Sequence, residues 1–208
     1  VARVAGSKAL PPNLFDQILT KPDGVPLFVE ELTKSILESG QLKDMGDHYE
    51  YIGTASQIAI PATLRDSLMA RLDRFTPAKE IAQIGDELGR EFSHELITAV
   101  APLPPSEVSD ALGRLVESGL VFRRGTPPEA SYTFKHALVQ DAAYDSLLRS
   151  RRKDLHARIA RVIHEHFPAI AHNEPEVLAR HYTQGGQLPN AIPLWRKAGE
   201  VTLGRMAL

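Results

Sequence analysis

Proline placement constrains this chain more than any other feature. The 208 residues hold 15 prolines, and Pro26, Pro61, Pro77, Pro105, Pro175 and Pro189 each stand just ahead of apolar residues that recur at helical spacing. A proline has no backbone N–H and fixes φ at about −65°, so it fits a helix only in the first turn, where that N–H has no intrahelical acceptor. The chain is therefore divided into a series of short helices, and the fold class is mainly α.

The apolar spacing fills in the series. A helix over 10–20 carries Leu14, Phe15, Ile18 and Leu19, and after a turn at Pro22-Asp23-Gly24 a second, over 27–39, carries Phe28, Leu32 and Ile36. Residues 41–60 lose the periodicity and hold Gly46 and Gly53 around Tyr49-Glu-Tyr-Ile52, which predicts a loose hairpin or linker. Leu64, Leu68 and Leu72 mark a third helix, Thr76-Pro77 opens a fourth to about Gly89, Ser93 caps a fifth through Val100, and a sixth runs from Pro105 until Gly119 stops it. Two short strands, 120–123 and 131–134, flank a turn-rich segment. Three helices and then a hairpin are the layout of a winged-helix domain. The chain is helical again from Lys135 to about Ser150 and from Arg151 to Phe167, where Pro168 ends the run. A helix pair over 175–184 and 189–206, joined by Gly185-Gly186, reads as the start of a repeat array, because one such pair cannot bury its own apolar face.

Charge and composition narrow the function. With 24 Lys plus Arg against 26 Asp plus Glu, the chain shows no electrostatic footprint for nucleic acid or an anionic membrane. It contains no cysteine, which removes disulfides and thiolate metal sites and fits the cytoplasm. No apolar run reaches the ~20 residues that span a bilayer. The start at Val1 and the end within a helical pattern predict a segment of something longer.

Several catalytic patterns are missing. There is no phosphate-binding Gly-x-x-x-x-Gly-Lys-Ser/Thr loop, so the segment is not expected to hydrolyse ATP alone. His94-Glu-Leu-Ile-Thr98 lacks the second histidine of a zinc-protease helix and reads as a capped helix. His164 and His166, two apart, point to different faces and share no metal. The basic cluster Arg149, Arg151, Arg152 and Lys153 reads as a solvated helix junction paired with local acids. His136, between the strand at 131–134 and the next helix, stands where helix amides point outward, a position suited to an anion.

Gly24-Val-Pro-Leu-Phe-Val-Glu-Glu-Leu32, then Ile60-Pro-Ala-Thr-Leu-Arg-Asp-Ser-Leu-Met-Ala-Arg-Leu-Asp73, then the junction Tyr132-Thr-Phe-Lys-His136 follow one another in a telling order. Together they resemble the region downstream of the ATPase core in signal-transducing NTPases of the STAND class. That resemblance implies a helical lid with a Gly-x-Pro motif, a winged-helix domain and repeats, often of tetratricopeptide type. It also implies that Pro26, preceded by Gly24, packs on an adenine ring, and that His136 reaches the β-phosphate of ADP. Where plant-type relatives read Met-His-Asp, this chain reads Lys135-His136-Ala137.

The resulting expectation is a lid segment over 1–44, a linker or loose hairpin over 45–60, a winged-helix domain over 61–134, a connecting helical arm over 135–168 and TPR-like repeats from 169 to 208. Its work would be regulatory and non-catalytic: coupling the ADP or ATP state of an upstream ATPase core to output domains, with a class III adenylate or guanylate cyclase as a candidate output. ADP or ATP would bind in the parent protein only, and partners would be that core and proteins docking on the repeats. The rival readings are a DNA-binding transcriptional regulator and a protein-interaction scaffold. DNA is disfavoured because the helix expected to enter the groove carries Glu107, Asp110 and Glu117 against Arg114.

Overall fold

Many of the helix starts set by proline are those of the fold, although Pro193 lies within the helix over 188–206 without ending it. The computed structural model describes residues 1, 4–20, 25–52, 61–74 and 76–206. Those residues form a mainly helical chain of eleven helices, with one two-stranded and one three-stranded antiparallel sheet. It falls into two compact units, Val1–Thr76 and Pro77–Leu208. The expected turn at Pro22-Asp23-Gly24 and residues 53–60 of the expected linker lie outside the described residues.

In the first unit, α1 (Pro12–Thr20), α2 (Pro26–Leu37) and α3 (Leu64–Asp73) accompany a hairpin of β1 (Leu42–Asp44) and β2 (Tyr49–Tyr51). Leu14, Ile18, Phe28, Leu32, Ile36 and Leu42 are buried in one cluster. The apolar face of α1 is narrower than its sequence predicts, since Phe15 and Leu19 remain exposed. The loose hairpin expected in this region is a paired one, with Leu42 opposite Tyr51 and a parallel bridge from Ala9 to His48.

The expected boundary at 45–60 is corrected by α3. This helix packs on α2 in the first unit instead of joining the helices that follow. The cause is an ion-pair network that its hydrophobic pattern does not reveal. Arg71, 1% exposed, binds both carboxylate oxygens of Glu38 at 2.7 and 2.8 Å and also pairs with Glu31, itself 1% exposed. A guanidinium this deeply buried needs all of those acceptors in place. Thr63, not Pro61, caps the helix, its side chain accepting from the Asp66 N–H at 3.0 Å.

The second unit begins with α4 (Thr76–Leu88), β3 (Glu91–Ser93), α5 (His94–Val100) and α6 (Pro105–Glu117), followed by the hairpin of β4 (Val121–Arg124) and β5 (Ser131–Phe134). The strand order is β3-β5-β4, all antiparallel. The hairpin lies where the sequence puts it. The third strand, β3, is missed because three residues are too few to show alternation. Phe92 at its centre stacks on Tyr132 at 5.8 Å, and Gly85 of α4 lets that ring approach, since a Cβ there would stand 2.6 Å from it. Ser93 caps α5 as predicted, accepting from the Leu96 N–H. Helix α6 buries Val108, Ala111, Leu112 and Leu115, an i, i+3, i+4, i+7 stripe.

Five helices complete the unit: α7 (Ala137–Asp145), α8 (Arg149–His166), α9 (Pro168–Asn173), α10 (Pro175–Gln184) and α11 (Leu188–Met206). Pro168 ends α8 as expected but also opens α9, the first-turn role that Pro26, Pro105 and Pro175 play. Helix α10 closes with Gly186 at φ +76°, its N–H bonded to the Thr183 carbonyl and the Gln187 N–H to that of Tyr182. This left-handed C-terminal cap turns the chain back into α11. Trp195 of α11 donates to the Thr183 hydroxyl of α10 at 3.0 Å.

Candidate functional site

Of the residues singled out from sequence, Gly24 lies outside the described residues. Pro26 is an exposed first-turn residue of α2, entered through extended Val25. His136 is the N-cap of α7, with φ −137° and ψ 141°, and its side chain makes no capping hydrogen bond. Its Nε2 is buried without a hydrogen-bond partner. Pro26 and His136 fall in different units. His94 is buried, with Nε2 3.3 Å from the Ser109 hydroxyl, while His164 and His166 are exposed. Among the described residues no three His, Cys, Asp or Glu side chains are grouped to hold a metal ion.

A more elaborate arrangement lies at the other end of α7. The Ser146–Leu148 break aims the start of α8 at the end of α10, and a cleft of about 510 Å³ opens there. Arg149, Arg152 and Lys153 enter it from the first turns of α8, and Arg180 enters from α10. Two close approaches shape it. A Cβ on Gly185 would stand 3.0 Å from the Ala157 backbone N of α8, and one on Gly186 would stand 2.8 Å from Lys153 Cε. Arg152 lies 3.6 Å over the Tyr144 ring and donates to the Tyr144 carbonyl at 2.7 Å. Arg149, Arg151 and Lys153 are exposed, as a solvated junction requires, and Asp86 acts on Arg152 through its charge, but among the described residues none of the four cations of the cleft is ion-paired to a carboxylate.

The cleft floor is a hydrogen-bonded chain in which exposed Arg180 leads to buried His181, His156 and Glu87. Arg180 donates to the Glu87 and Leu88 carbonyls at 3.2 and 3.5 Å and to His181 Nε2 at 3.4 Å. A guanidinium only donates, so Nε2 of His181 accepts and its proton resides on Nδ1. That Nδ1–H donates to His156 Nδ1 at 2.9 Å, which leaves His156 Nε2–H to donate to Glu87 Oε2 at 2.8 Å. One donor-only group thereby sets the tautomer of both rings. Burial first, then the charges of Arg180 and His156, pushes His181 down to about 3. Next to Glu87, Asp86 is pushed up to about 7, chiefly by burial and then by the Glu87 charge. Glu87 Oε1 and Asp86 Oδ2 are buried without partners.

The sequence contains signals for this site. Arg149, Arg152 and Lys153 occupy the positive end of a helix dipole, where acids are favoured, and α8 has no acid in its first turn. His156 and His181 interrupt the apolar stripes of α8 and α10. What the sequence cannot give is their meeting, 25 residues apart.

No protein-family model matches the chain. It is 27% identical over 201 residues to an uncharacterized protein of Rhizobium meliloti (strain 1021), a match covering 96% of this chain and 19% of the relative. The chain thus spans about a fifth of the length of that relative.

Proposed function

We propose that this chain is a non-catalytic regulatory segment of a STAND-type signalling ATPase, working in the cytoplasm. It would couple the ADP or ATP state of an upstream core in the same protein to output domains, with a class III nucleotide cyclase as the candidate output. The observation that carries the reading is the β5–α7 junction, where an orphaned, buried His136 Nε2 stands at a helix start. A buried nitrogen without a partner marks a position whose partner is supplied from elsewhere, and helix amides beside it favour a phosphate oxygen. The α4–β3–α5–α6–β4–β5 order, read as a winged helix, and the α10–α11 pair, read as TPR-like, support the same architecture. Because Nε2 is covered in this arrangement, phosphate contact through it requires the Lys135–His136 turn to open. The much greater length of the Rhizobium relative accords with a segment role.

In the parent chain, His136→Ala is expected to weaken ADP retention and raise basal output, measured as ADP dissociation and product formation. Unchanged ADP dissociation sinks the assignment. The exposed side of α6 presents Glu107, Asp110 and Glu117, which disfavours DNA. Salt-sensitive binding of the chain to duplex DNA in a gel shift would overturn that exclusion.

A further inference from the structure

We propose that the cleft between α7, α8 and α10 binds a small phosphate ester. Its phosphoryl group is held by Arg149, Arg152, Lys153 and Arg180, and a hydroxyl of the same molecule donates to Glu87 Oε1. The site stands apart from the His136 junction and does not rest on the nucleotide reading: Tyr144 at the cleft and His136 are separated by the length of α7, about 12 Å at 1.5 Å per residue.

Charge argues for the phosphoryl group. Three cations at the N-terminal end of α8 oppose its dipole, and a fourth is added from α10. Asp86 offsets Arg152 in part and Glu87 lines the same space, but among the described residues no carboxylate pairs directly with any of the four cations gathered there. A dianion reverses the sign of every one of those interactions, and its three terminal oxygens meet the paired donors of arginine forks. A carboxylate has half the charge and would be satisfied by a single fork.

The cations are also prepared in advance. Arg180 is held by two main-chain carbonyls and His181, and Arg152 by the Tyr144 carbonyl and ring. Arg152 Nε is a further buried donor without a partner. The glycine at 186 keeps open the space that the Lys153 side chain occupies.

Glu87 argues for an ester and not a free anion. It is 5% exposed, lines the cleft and has one oxygen fixed by His156 while Oε1 has no partner. A carboxylate oxygen beside an anion site repels the anion unless a donor intervenes, and a ligand hydroxyl is such a donor. The volume of about 510 Å³ exceeds what inorganic phosphate fills and lies within the range of small-molecule sites.

Isothermal titration calorimetry of the full chain with ribose 5-phosphate, inorganic phosphate and ribose tests the site. Ribose 5-phosphate should bind at least tenfold more tightly than phosphate, and ribose should give no heat. Lys153→Gln, an exposed change that leaves the buried network untouched, should weaken ribose 5-phosphate several-fold, and Arg152→Gln with Lys153→Gln more than tenfold. Glu87→Gln should bring ribose 5-phosphate down toward phosphate without weakening phosphate, provided circular dichroism shows an unchanged fold. Absence of ribose 5-phosphate binding, equal affinity for phosphate and the ester, or insensitivity to Lys153→Gln would each overturn the proposal. So would tighter binding of a phosphopeptide or of DNA through the same residues.

Discussion

Replacing Asp86 with asparagine should stabilise the protein in mild alkali and do progressively less as the pH falls. Asp86 is 9% exposed, its Oδ2 has no partner, and burial beside Glu87 raises it from 3.8 to about 7. Between those values the folded chain keeps a proton that the unfolded chain has released. Stability therefore falls as pH rises through that window and stays low above it. The rise corresponds to at most ~4 kcal/mol. Solvent screening of the ionised group brings the expected cost to roughly 1–2 kcal/mol. In thermal melts Asp86→Asn should then exceed the parent by roughly 3–10 °C at pH 8. The gain should shrink steadily toward pH 4.5. Titrating groups that do not act on Asp86 are common to both proteins and cancel in the difference, while Glu87, whose charge acts on Asp86, remains in it. A gain that is constant from pH 4.5 to 8, or that grows on acidification, would refute the burial argument.

His181 has the opposite sign. Its depressed value of about 3 means that the contribution of its neutral form is fully present above pH 6.5 and is lost as pH falls toward 3. His181→Asn should flatten the acid limb of the melting profile at a cost of ~1–3 kcal/mol at pH 7 for the lost partner of His156; a limb as steep as that of the parent counts against it. In the first unit, Arg71→Met leaves the buried Glu31 with Lys34 as its remaining ion-pair partner, at 3.1 Å, and should cost ~3 kcal/mol, read by faster hydrogen exchange across α2 and α3. Adding Glu31→Gln should recover part of that loss, and no recovery would show that the pair is not coupled.

The parts of the fold legible in the chain are those that depend on neighbours in sequence. Pro26, Pro105 and Pro175 start helices because the missing N–H is a local fact, and Ser93 caps α5 because its partner is three residues away. The stripe on α6 is readable for the same reason. The parts that misled are those decided at a distance. Helix α3 shows the periodicity of any surface helix, yet Arg71 finds its acceptors 33 and 40 residues earlier, on and just beyond α2, and that joins it to the first unit. Strand β3 is made by its pairing with β5 and not by any pattern of its own. Arg149 to Lys153 look like a solvated junction because acids are common nearby in sequence. In space Arg149, Arg151 and Lys153 are solvated as expected, but no carboxylate is ion-paired to Arg149, Arg152 or Lys153 among the described residues, and those three face a cleft.

By itself, then, the sequence placed ten of the eleven helices and the 121–134 hairpin, because proline, glycine and apolar spacing act within one or two turns. It also placed His136 at a strand-to-helix junction. Tertiary structure alone decided which helices share a unit, and it alone brought Glu87, His156, His181 and Arg180 into one hydrogen-bonded chain. The physical reason is that burial, donor direction and uncompensated charge are properties of a space enclosed by several helices. No single helix carries them.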